Sequence, residues 1–128
     1  MNPNPDNVGT LEACQRLQAA GIVLKTEAVW YEFWSGIEQY FSLSVNNIPQ
    51  HPHISAPCFT EVWRELKRRK ITSINMAVAN DGENTIITHY DYPIKDGYRI
   101  MIPTRFKNIN PADAAIDLLI WQKKEIRP

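Results

Sequence analysis

The residues able to do chemistry in this chain are a few histidines, two cysteines and a run of arginines. His51-Pro52-His53 places two imidazoles side by side in a proline-rich stretch, and His89 and Asp91 follow in Thr-His-Tyr-Asp-Tyr. Neutral imidazoles bind metals and shuttle protons near neutral pH. Together the four side chains would form the centre of a small metal-dependent hydrolase. A zinc site needs three or four converging ligands, and neither cysteine stands in a Cys-x-x-Cys spacing. The expectation is therefore solvated loop histidines, with no metal, no cofactor and no catalytic residue. Cys58 falls near an expected helix start, where the dipole lowers a thiol pKa. A nucleophilic role would require His51, His53 or His89 as its base. Cys14 and Cys58 instead fit the apolar sides of helices as buried free thiols, and two cysteines make no disulfide framework. No Gly-rich phosphate loop or nucleophile elbow occurs, and the five glycines suit turns and a helix end.

The basic residues form two groups. Arg64, Lys67, Arg68, Arg69 and Lys70 cluster in sequence, and Arg99, Arg105 and Lys107 follow later. Arg64, Arg68, Arg69, Arg99 and Arg105 would be the phosphate-holding set of a nucleotide or nucleic-acid binder, with aromatic rings stacking on bases. Against that, fourteen basic and fourteen acidic residues cancel, so no global field attracts a polyanion or an anionic membrane. The same charges serve equally as a solvated helix end and as protection of a sheet edge.

Aromatic residues concentrate between positions 30 and 41: Trp30, Tyr31, Phe33, Trp34, Tyr40 and Phe41. Strand alternation sends Trp30 and Trp34 to one face and Tyr31 and Phe33 to the other. One face can enter a core, which leaves large rings exposed on the second. Exposed aromatic surface marks protein interfaces, because Trp and Tyr supply much contact area for little entropy. Trp30, Tyr31, Phe33, Trp34 and Tyr40 are thus the expected interface, for a protein partner or for a second copy.

These residues need elements to position them. Thr10 is an N-cap for a short helix carrying Leu11, Cys14 and Leu17, and Gly21 ends it. Residues 28–44 fit either a helical stripe or two strands; the Ser35-Gly36 turn signal and the aromatic content favour the strands. Residues 46–57 hold three prolines and read as loop. A second helix is expected from Ser55 or Ala56, with Pro57 near its first position, Val62 and Leu66 on its apolar face, and cations at its end. Ile74 to Val78, Thr85 to Tyr92 and Tyr98 to Ile102 alternate as strands around Asp-Gly turns, giving an antiparallel meander. The last helix runs from Asn110 to Glu125, capped by Asn110, started by Pro111 and apolar along Ala112, Ala115, Ile116, Leu119 and Ile120. The fold class is α+β, a hairpin plus a three-stranded meander with two or three amphipathic helices on one face. Whether the hairpin joins the meander is open at this level.

At 128 residues the chain is expected to be a single domain over 1–128, with 1–9 a flexible tail. A composition of 44% hydrophobic and 22% charged residues is that of a soluble globular protein. Its first residues lack the basic and apolar regions of a signal peptide, and no apolar run is long enough to span a bilayer. The expected location is the cytoplasm.

Three segments, Leu17 to Leu24, Ile54 to Leu66 and Asn110 to Trp121, resemble in order a pattern found in small uncharacterised proteins encoded by phages and prophages. The resemblance spans most of the chain, but its motifs are helix starts and core faces. It implies a phage-type accessory protein in the host cytoplasm and a hairpin after Thr26, and it carries over no catalytic residue. Lys67-Arg68 stands where that pattern has a Leu-Pro stop, so the basic helix end is particular to this chain. The expected function is non-enzymatic, by protein binding or self-association. A nucleotide or nucleic-acid binder is the alternative, and the small hydrolase a second one.

Overall fold

A computed structural model describes residues 3–69 and 76–125. The fold is α+β. After a single 3-10 turn at Pro5–Asn7 come α1 (Leu11–Ala19), β1 (Ala28–Ser35), β2 (Glu38–Val45), β3 (His53–Ser55) and α2 (Phe59–Arg68). Then follow β4 (Met76–Asp81), β5 (Asn84–Asp91), β6 (Ile94–Lys95), β7 (Tyr98–Arg99), β8 (Ile102–Asn108) and α3 (Pro111–Glu125). The strands form two antiparallel three-stranded sheets, ordered β2-β1-β3 and β4-β5-β8, and a separate β6-β7 ribbon. The hairpin therefore does not join the meander.

The helix ends are made by local chemistry. Thr10 Oγ1 accepts the Ala13 N–H and caps α1. At the other end Gly21 takes φ +77, Ile22 N–H reaches Leu17 O and Gly21 N–H reaches Gln18 O, so glycine closes the helix. Asn110 Oδ1 accepts the Asp113 N–H as the cap of α3. α2 starts later than its prolines suggest. Cys58 is its N-cap, because Ala56 N–H is held by Ala28 O and Pro57 O by Gly9 N–H, both outside the helix.

α3 is the centre of the core. It was expected to bury one stripe, yet Ala112 to Ile116, Leu118, Leu119 and Gln122 are all buried, so it is enclosed round its circumference. β5 and β8 pack on it through Ile87 and Phe106, and α1 and α2 through Leu17, Val62 and Leu66. Several of its polar residues bond to α1 and its caps. Asp113 accepts both the Thr10 N–H at 2.8 Å and the Thr10 hydroxyl at 2.7 Å. Arg16 pairs with Asp117 at 2.8 Å, and Lys123 Nζ donates to Ala20 O at 2.6 Å.

Three further expected boundaries move. Residues 53–55 are not loop but strand β3, which pairs with Val29 to Tyr31. The third strand of the meander is β8, not Tyr98 to Ile102. Asp96 and Gly97 both take positive φ and turn Ile94–Arg99 back on itself, so the chain makes a small ribbon before rejoining the sheet. The tail expected over 1–9 does not reach its end: Val8 and Gly9 are buried, Val8 bridges to Cys58, and Asn110 Nδ2 donates to Val8 O at 2.7 Å. Ile74 and Lys70 lie outside the described residues.

Candidate functional site

The aromatic hairpin splits at its middle. On one face Trp30 packs with Leu43 and Ile54 on the core, and its Nε1–H donates to Gly9 O at 3.2 Å. Two residues along, the same face has left the core. Glu32 there accepts from Trp34 Nε1 and from Gln39 Nε2, and Trp34 is 61% exposed. A two-residue turn, Gly36-Ile37, ends the hairpin, with Ile37 fully out in solvent.

The opposite face was expected to expose its rings, but residues 46–53 cover most of it. Tyr31 is buried, and its hydroxyl accepts the N–H groups of Asn47 and Ile48 at 3.1 and 2.8 Å. The His51 and His53 rings lie edge-on to Tyr31, and Phe33 sits between His51 and a stacked Tyr40. Of the five expected interface residues, Trp30 and Tyr31 belong to the interior and Phe33 is half-buried. Trp34 and Tyr40 stay exposed, and with Ile37 they make an apolar tip beyond the core.

The histidines are engaged in structure. His51 Nε2 meets Glu32 O at 2.9 Å and His53 Nδ1 meets His51 O at 2.6 Å. A carbonyl only accepts, so each of these nitrogens carries a proton and donates. His89 is on the other sheet, buried against the Trp121 ring, with Nδ1 unpartnered among the described residues. Burial pushes its pKa down, opposed by the nearby charge of Asp91. Among the described residues no three His, Cys, Asp or Glu side chains are placed to hold a metal ion.

Both thiols are free. Cys14 is buried, and burial, reinforced by the charge of Asp113, pushes its pKa up to about 12. Cys58 is half-buried rather than buried. Its N–H donates to Glu61 Oε1 at 2.9 Å, and the other oxygen of that carboxylate takes Glu27 N–H at 3.1 Å. The start of α2 is thus occupied by the protein's own anion.

The arginines are divided among elements. Arg68 and Arg69 both pair with Glu65, whose pKa is held down by hydrogen bonds from Arg68 and then Arg69 against the cost of burial. Arg64 is exposed on the same helix. Arg99 is in the ribbon, and Arg105 is on the outer face of the second sheet beside Thr88. The five are thus spread over α2, the ribbon and β8.

Two features escape the sequence. Tyr92, Ile94, Tyr98, Ile100, Met101 and Ile102 are all exposed, an apolar arm that alternation disguises as an ordinary strand. A cleft of about 700 Å³ opens between residues 3–8, the starts of β1 and α2, and the end of β2. Its walls come from four separate stretches, and no local pattern signals it. A comparison with protein families, with curated proteins and with solved structures finds no match for this chain.

Proposed function

We propose that this chain is a non-enzymatic accessory protein of the phage type, acting in the cytoplasm by binding a protein partner or a second copy through the β1–β2 hairpin. The observation that supports it is the apolar tip. Trp34, Ile37 and Tyr40 are 61%, 95% and 51% exposed on strands whose inner halves are fixed by the core. A rigid hairpin that carries exposed aromatic rings loses little entropy when those rings are covered, which is the condition for a binding hot spot. Glu32 orients both Trp34 and Gln39 and adds a hydrogen-bonding rim.

The test is light scattering after size exclusion, together with capture of partners from host lysate, using wild type and a Trp34→Ala/Tyr40→Ala variant. The expected outcome is a complex or oligomer that the double variant loses while its circular dichroism stays unchanged. A wild-type protein that is monomeric and captures nothing would remove the reading. Capture of nucleic acid with an affinity that falls steeply with salt would replace it with a basic-patch function.

A further inference from the structure

Among the described residues nothing pairs with the outer edge of β2. Ser35 and Glu38 close a two-residue hairpin, so Glu38, Tyr40, Ser42 and Ser44 direct their backbone groups toward β1. The Asn46 N–H bond to Glu27 O continues that alternation, and Glu32 N–H, bonded to Pro52 O, faces β3 instead. Gln39, Phe41 and Leu43 therefore point their N–H and C=O groups away from the sheet, and no described residue bonds them. β2 has eight residues with no proline and no lysine or arginine. By contrast β3 is three residues long, and β8 carries Pro103, Arg105 and Lys107. Those are the usual defences of an edge, and on β2 the one charged residue is Glu38 at its first position.

We infer that β2 pairs antiparallel with β2 of a second copy about a two-fold axis through Phe41, joining two β2-β1-β3 sheets into one of six strands. The inference rests on the hairpin reading above and names its partner. Two conditions restrict the register, and the matching of apolar residues selects among those left. Paired residues must share a face, and both must be of the outward-bonding set. Centring on Phe41 satisfies both: Phe41 meets Phe41 of the partner subunit, and Gln39 meets Leu43 of the partner subunit. The same register sets Val45, 43% exposed, beside Ile37 of the partner subunit, 95% exposed in the free chain. The row Ile37, Gln39, Phe41, Leu43, Val45 read against its own reverse is thus apolar at both ends and in the middle. No like charges meet, because Glu38 falls opposite Ser44 of the partner subunit.

Sedimentation equilibrium over a range of concentrations is the first measurement, with the full chain. A reversible dimer is expected. Phe41→Lys puts two ammonium groups together on the axis and should raise the dissociation constant at least roughly tenfold. Phe41→Pro removes an N–H that the β1 ladder does not use and should do the same; for both variants the far-UV spectrum is checked for an unchanged fold. In a Cys58→Ser background, Phe41→Cys should cross-link on oxidation. Ile37→Cys should not, since two copies of that position lie roughly 27 Å apart in this register. A dimer that survives both Phe41 substitutions, or cross-links at 37 and not at 41, overturns the inference. So does a wild type that stays monomeric. If that monomer still captures a partner through Trp34 and Tyr40, the hairpin function stands without the edge pairing; if it captures nothing, both fall.

Discussion

Asp113 shows how one residue can look like surface in the sequence and behave as a core part. It lies in the first turn of α3, where an acid is expected on dipole grounds, and it is 5% exposed. Both its oxygens are taken by Thr10, which caps α1 with the same hydroxyl. Asp113→Ala leaves the Thr10 N–H without a partner in a partly buried site and should cost about 2 kcal/mol, because hydrogen bonds to a charged group are the stronger kind. A Thr10→Ala/Asp113→Ala cycle by urea denaturation should show strong coupling; additive effects would refute the shared network. Gly9 is held to its type by space rather than by dihedral angle. A Cβ there would lie 2.7 Å from Ile116 Cδ1 and 2.8 Å from Cys14 Sγ, both buried, so Gly9→Ala should destabilise by roughly 1–3 kcal/mol.

His89 is the residue whose charge the fold opposes. Burial lowers its pKa below the ordinary 6.5, so between the two values the unfolded chain binds more protons than the folded one. Stability is therefore intact above about pH 6.5 and falls as the pH drops below it, until the folded value is passed. His89→Gln should flatten this part of a melting-temperature profile between pH 7 and 5, and an unchanged profile would show that other groups dominate. The thiols differ in the same spirit. Cys14, with its pKa near 12 and no exposure, should resist iodoacetamide in the native state, while half-buried Cys58 is alkylated first; peptide mass mapping reads the order.

Among the elements, those made by adjacent residues were legible in the chain. Thr10 and Gly21 mark both ends of α1, Asn110 marks the start of α3, and Gly36 the turn between β1 and β2. What could not be read depends on partners far away. Three prolines make 46–57 look like loop, yet β1 recruits His53–Ser55 because its second edge is otherwise empty. The third strand of the meander was misplaced, since only its pairing with β5 distinguishes Ile102–Asn108 from the equally apolar stretch before it. The site was half legible. The aromatic segment was visible, but its cover was not, because the Tyr31 hydroxyl that holds the loop at Asn47 and Ile48 is a tertiary bond. Tyr31→Phe should cost about 1 kcal/mol and speed amide hydrogen exchange at Asn47 and Ile48 specifically. Exchange unchanged at those two amides would mean that the ring stacking alone secures the loop.

At the scale of the whole molecule the α3 circumference explains why charge patterns mislead. Asp113 and Asp117 lie off the apolar stripe of α3, yet both, like Lys123, bond to α1 or its caps. Exposed apolar residues gather at two projecting points, the β1–β2 tip and the 92–102 arm. No helix among the described residues is long and apolar enough to cross a membrane. A partner that covers the tip has a firm support behind it in Trp30 and Leu43, whereas the arm is carried by two short strands of the ribbon. Binding at the tip should then show little change in hydrogen exchange within β1, and binding at the arm a large gain of protection across residues 92–102.

The bonds between α1 and α3 also set an order of events. Thr10 to Asp113, Arg16 to Asp117 and Ala20 to Lys123 each join residues 101 to 103 positions apart. During synthesis α1 emerges well before α3, and every element between them is made before its partner exists. Until then Leu17 and Cys14 have no wall of α3 to close against, so the growing chain keeps apolar surface open until α3 is made. α3 is the segment that closes what α1 leaves open.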